Sequence, residues 1–175
     1  MTTASKTLTK TTRKPREASN DAIKVLTEDH KEVKALFKAY EMLAKDDGDE
    51  DEKLQIAQEI CTKLIVHATV EEEIFYPAAR EVLGEDEDLV DEADVEHASA
   101  KELIAQIEAS SPAEDDHFDA RVKVLGEYID HHVEEEEGEM FPKLKKTELD
   151  LKALGEEIAE RKEELLAELG VAQDA

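Results

Sequence analysis

Apolar residues recur every three or four positions through most of the chain, and only short polar stretches break that rhythm. Ile23, Leu26, Val33 and Phe37 mark one face of a first helix, capped by Ser19 or Asn20 and running to about Lys45. The acidic loop DDGDEDE (46–52) leads into a second helix from about Glu50, with Ile56, Ile60, Leu64 and Ile74 on its inner face. Pro77 bends or ends that helix, and Gly84 closes the segment after it. A third helix covers about Asp88 to Ser110 on Val90, Ala93, Ala100 and Ile104. SPAE (111–114) reads as a capping box with proline at the first helical position. It opens a fourth helix, striped by Phe118, Val122, Leu125, Ile129 and Met140, that reaches Phe141–Pro142. TELD (147–150) begins a short fifth helix ending near Gly170, with Leu151, Leu154, Ile158 and Leu165 on one side. Long helices joined by short loops predict an all-α fold. The expected architecture is an antiparallel up-down-up-down four-helix bundle with an additional C-terminal helix.

The inner faces are not purely apolar. In HHVEEEEGEMFP (131–142), a step of about 100° per residue puts His132 and Glu136 on the apolar stripe and His131 on the opposite face. The same count places His67 and Glu71 beside Ile60, His30 on the first stripe and His97 on the third, while His117 falls outside. A single histidine on such a face is an ordinary hydrogen-bonded core residue. Six polar groups sharing these narrow stripes are a different matter, because two buried carboxylates without compensation cost several kcal/mol. Four imidazoles beside two carboxylates form a metal-ligand set. The pattern also repeats: HKEVK (30–34) precedes HATVEEEIFYP (67–77), and HASAK (97–101) precedes HVEEEEGEMFP (132–142). Two such helix pairs imply a pseudo-two-fold site with two metals bridged by the two carboxylates.

On these residues the chain resembles the hemerythrin-like (HHE cation-binding) family over about residues 21–145. The resemblance implies a non-haem di-iron centre, oxo- or hydroxo-bridged, ligated by His30, His67, Glu71, His97, His132 and Glu136, with Glu71 and Glu136 bridging. Imidazole and carboxylate donors also suit zinc or manganese. A ferritin-like site would instead show four glutamates with two E-x-x-H pairs. The family's oxygen carriers have H-x3-H in the third helix and an aspartate as last carboxylate, where this chain has Lys101 and Glu136. The missing imidazole leaves a position open for water, O2, NO or peroxide. Tyr40 and Tyr128 sit at stripe edges as boundary packing. Lys34 and Lys101 share a placement from which each is expected to pair with Glu71 or Glu136.

Composition narrows the picture further. With 175 residues, 40% hydrophobic and 4% aromatic, the chain suits one helical core. Residues 1–20 are read as a disordered basic tail, 21–145 as the bundle, 146–170 as the C-terminal amphipathic helix and 171–175 as a second tail. The basic tail carries +4 of a total −25, leaving −29 on the rest. A surface that acidic disfavours nucleic acid and anionic membrane as partners. No apolar run approaches the roughly 20 residues that span a bilayer. Cys61, the single cysteine, excludes an internal disulfide and suits a reduced, cytoplasmic setting. Two function classes stay open, for a monomer or homodimer. One is a protein that binds iron and a small diatomic or peroxide ligand for sensing, storage or protection. The other is a catalase-like enzyme that decomposes peroxide or a nitrogen oxide species. The binding class leads, since no convergent polar groups beyond the ligands mark a substrate pocket.

Overall fold

The computed structural model describes residues 21–46 and 48–170, so the tails at 1–20 and 171–175, and a cap at Ser19 or Asn20, lie outside the described residues. Asp21 caps α1 (Ala22–Lys45), its carboxylate accepting from the Lys24 N–H. Asp49 does the same for α2 (Glu50–Val70) through the Glu52 N–H. A π-helical turn, Glu71–Phe75, joins α2 to α3 (Tyr76–Leu83), and Gly84, at φ 58°, ends that rod. After α4 (Asp88–Glu108), the fourth rod is built of α5 (Phe118–Glu135), a second π turn Glu136–Met140 and α6 (Phe141–Leu144). Asp150 caps α7 (Leu151–Glu168) through the Ala153 N–H. α1 packs on α2 and α5, and α4 on α5 and α2, which closes the four antiparallel rods into a bundle. The described residues contain no strand, and none of their helices is long and apolar enough to cross a membrane.

The two π turns share a cause. The Tyr76 N–H reaches five residues back to the Glu71 carbonyl, and the Phe141 N–H likewise to Glu136. Pro77 and Pro142 come immediately after and have no N–H to offer, so each rod widens instead of ending. The capping box at SPAE behaves differently from expectation. It closes one turn, with the Asp115 N–H donating to the Ser111 carbonyl. The Asp115 carboxylate then accepts from the His117 N–H and pairs with Arg121, an Asx-type turn that redirects the chain. The helix starts only at Phe118.

Buried apolar side chains form two clusters, one around Leu26, Val70, Phe75 and Phe141, the other around Val33, Ile60, Ile104 and Leu125. Along α1, His30 lies between Leu26 of the first cluster and Val33 of the second, and the other rods insert polar groups at the same level. The fifth helix docks on α1 and α2 through Ile158, which is fully buried in the first cluster with Leu151, Leu154 and Leu165 around it. Ile158→Ala is expected to cost roughly 2–4 kcal/mol. It should appear as a lower urea midpoint with an unchanged slope.

Candidate metal centre

All six candidate ligands meet in that polar layer, with the four histidines 3–6% exposed and Glu71 and Glu136 at 0% and 1%. The side chains of His131 and His117 are 65% and 79% exposed, as the helical phase predicts. His30 Nε2 lies 3.2 Å from His67 Nε2, and His97 Nε2 lies 3.2 Å from His132 Nε2. Glu71 Oε2 sits 3.2 Å from Nε2 of both His67 and His97. Glu136 Oε2 sits 3.3 Å from His30 Nε2 and 3.7 Å from His132 Nε2. Each carboxylate therefore reaches one imidazole of each pair.

The outer ring nitrogens are equally ordered. Nδ1 of His30 meets Glu137 at 2.8 Å, that of His67 meets Asp29 at 3.2 Å, that of His97 meets Glu72 at 3.0 Å and that of His132 meets Glu96 at 2.8 Å. Ionised carboxylates only accept, so each Nδ1 carries the proton and each neutral ring turns a bare Nε2 lone pair inward. With all four rings in that neutral form, four lone pairs and two carboxylates face one another. Among the described residues, the Tyr76 hydroxyl is the donor that enters this cluster from outside the six, 2.9 Å from Glu136 Oε1. Glu71 Oε1 and Glu136 Oε2 accept no hydrogen bond. Buried carboxylate oxygens left in that state are costly, and only protons or metal cations relieve them.

Protons take up part of the load when no metal is bound. Burial by itself lowers the pKa of His67, but Glu71 and Asp29 outweigh it and push the imidazole up to about 10. The same contest, with Glu136 and Glu96 winning, takes His132 up to about 9. Burial works against Glu71 ionising, yet His67 and His97 hold its carboxyl well below the usual range. Cations fit the cluster equally well. The ligand atoms of His30, His67, Glu71 and Glu136 lie within 4.8 Å of one another, as do those of Glu71, His97 and His132. This mixed nitrogen and oxygen donor set suits a first-row transition metal in two adjoining positions.

Several residues differ from expectation. Lys34 pairs with Asp130 at 3.3 Å and Lys101 with Glu72 at 2.6 Å, so neither reaches Glu71 or Glu136. Carboxylates nearer the surface intercept both lysines. Tyr40 donates to Asp119 beside Lys53, within the second apolar cluster, and Tyr128 is 49% exposed. Tyr76 is the tyrosine that enters the site, 3.3 Å from His97 Nε2 and 3.4 Å from Glu71 Oε2. Burial, Glu71 and Glu136 raise its pKa well above the ordinary phenol value, so it keeps its proton. Its counterpart in the repeat is Phe141, stacked on His30 with ring centroids 6.0 Å apart. A cavity adjoins the histidines, lined otherwise mainly by apolar side chains such as Val33, Leu64, Ile104 and Ile129. Its volume is about 20 Å³, room for one very small molecule.

Residues 21–144 match the hemerythrin HHE cation binding domain. The chain is 32% identical over 118 residues to a DNA nickase of Nostoc sp., a match covering 67% of this chain and 31% of that protein. It also shares its fold with a hemerythrin HHE cation binding domain-containing protein from Mycobacterium kansasii, whose crystal structure gives a TM-score of 0.69 at 22% identity. That likeness covers 85% of this chain and 89% of the other.

Proposed function

The chain belongs to the hemerythrin HHE cation-binding family, and from that premise we propose that its buried layer holds a pair of iron ions that bind a small uncharged ligand such as O2, NO or hydrogen peroxide. The observation that carries this reading is the inward convergence of four Nε2 atoms, each aimed by a carboxylate on its own Nδ1. Such outer partners orient an imidazole and raise its strength as a ligand. His30 and His67 would hold one ion and His97 and His132 the other, with Glu71 and Glu136 shared between them. Two imidazoles and two shared carboxylates per ion leave room on a metal that accepts more than four donors, which favours iron over zinc.

When bound, the iron pair supplies redox-active, Lewis-acidic positions for the ligand. The protein's own contribution is selection. The apolar lining of the adjoining cavity favours a small neutral molecule and disfavours an anion. Sensing, storage and protection are all compatible roles. One observation favours a second reading, an enzyme that decomposes peroxide: Tyr76 holds a proton 2.9 Å from Glu136, where proton transfer to a reacting group would be short. DNA nicking is a property of the relative, and the net charge of −25 opposes a polyphosphate partner, so no nucleic acid is proposed. A cytoplasmic setting is part of the proposal, supported by the single cysteine, which can form no internal disulfide.

Anaerobic iron loading followed by metal analysis tests the centre, with about two irons per chain expected from the two adjoining ligand groups. His132→Ala should lose at least one of them, and His131→Ala should keep both. One zinc, or no metal at all, overturns the assignment. Mixing the reduced protein with O2, NO or peroxide separates the two readings. A stable, reversible absorption band supports binding, and sustained gas evolution from peroxide supports the enzyme.

A further inference from the structure

The four carboxylates behind the imidazoles are not braced alike. Glu72 is backed by Lys101 of α4, and Glu96 lies 3.6 Å from His131 of α5, both within the bundle. Glu137 is 40% exposed and has no second partner among the described residues. Asp29 alone is braced from outside the four rods. Its Oδ2 faces His67 Nδ1 at 3.2 Å while its Oδ1 accepts from Lys162 of α7. The pair is well covered, with side-chain exposures of 14% for Asp29 and 22% for Lys162. Lys162 stands one turn beyond Ile158, on the helix face that the core anchors.

We propose that α7 is a positioning element for one of the two metal positions, with Lys162 acting through Asp29 on His67. This inference rests on the metal-pair reading above. A carboxylate held at both oxygens cannot swing away from the ring, so it keeps the Nδ1 proton in place and the Nε2 lone pair on target. The lysine also draws charge from Asp29 and so moderates how strongly His67 donates to a metal. The two positions are then unequal by construction: the His30–His67 side is braced by α7 and faced by Phe141, and the His97–His132 side is faced by Tyr76. A bland alternative makes Lys162 a mere docking contact. Arg161 supplies the control, because it pairs with Glu73 at 2.8 Å and docks the same helix without touching Asp29.

The test is iron release from the loaded full-length protein to a chelator, with circular dichroism of each variant. Lys162→Met should speed the release of one of the two irons by about 10-fold and leave the other unchanged, the low end of the penalty for losing an outer partner. Lys162→Gln, which keeps a neutral donor, should fall between, and Lys162→Arg should return the rate towards wild type. Arg161→Met should leave both rates alone. Equal acceleration of both irons, no acceleration, or the same effect from Arg161→Met overturns the proposal. A wild-type chain that takes up no metal pair sinks the underlying reading, and this inference with it.

Discussion

Glu71→Ala is expected to empty both metal positions, where a single histidine change empties one. The reason is placement: Glu71 Oε2 is 3.2 Å from Nε2 of His67 on one side and of His97 on the other. Affinity should fall by more than about 100-fold, beyond the 10- to 100-fold cost of losing an outer partner. The metal-free chain should suffer as well. Removing the carboxylate breaks a buried charge pair on the Nε2 side of His67 and leaves Asp29 as its remaining counter-charge, a loss of about 3 kcal/mol. Glu73→Ala is the matched control, two residues along the same π turn, since Glu73 points outward to Arg161. Metal content and thermal melts of the two variants decide the matter. Two irons retained by Glu71→Ala would show that this carboxylate is not shared.

What the sequence made legible was the facing of each rod, because an α-helix converts spacing into direction. His30, His67, Glu71, His97, His132 and Glu136 could be picked out on that basis, and His131 rejected. The same rule hid Tyr76. Counted at 100° per residue from Ile60, it falls about 160° away, on the outer face. The π turn at Glu71–Phe75 removes part of that rotation and swings the hydroxyl inward. Periodicity assumes an unbroken α-helix, so it cannot see a turn imposed by Pro77. The visible signal was the aromatic–proline position, where the repeat sets Tyr76 against Phe141.

The outer carboxylates escaped for another reason. Asp29 adjoins His30 in the chain but holds His67, and Glu72 adjoins Glu71 but holds His97. Each reaches across to a neighbouring rod, and a stripe drawn on one helix does not say which neighbour its flank meets. Lys101 shows the consequence. Its place near the stripe pointed to Glu71 or Glu136, yet Glu72 stands nearer the surface and takes the ammonium with both oxygens at 2.6 Å.

Stripping the metal is expected to make stability fall with rising pH, and restoring it to abolish that fall. In the metal-free chain His67 and His132 titrate near 10 and 9, above their ordinary value of 6.5. Their charge pairs therefore stabilise fully below about pH 6.5 and are lost as pH climbs through 9 to 10. Asp29, Glu71 and Glu96 are shifted downward, so their contribution is present above about pH 4.5 and is lost in acid. The metal-free optimum should lie at roughly pH 5–6.5. Iron needs the imidazoles neutral, so loading near pH 7.5 should expel about two protons per chain, one each from His67 and His132. The gap in Tm between loaded and stripped protein should accordingly widen between pH 6 and 9, to roughly 10 °C or more at the alkaline end. Parallel Tm curves across that range, with no protons released to a pH indicator on loading, would mean that the cation and the protons do not compete for the same nitrogens.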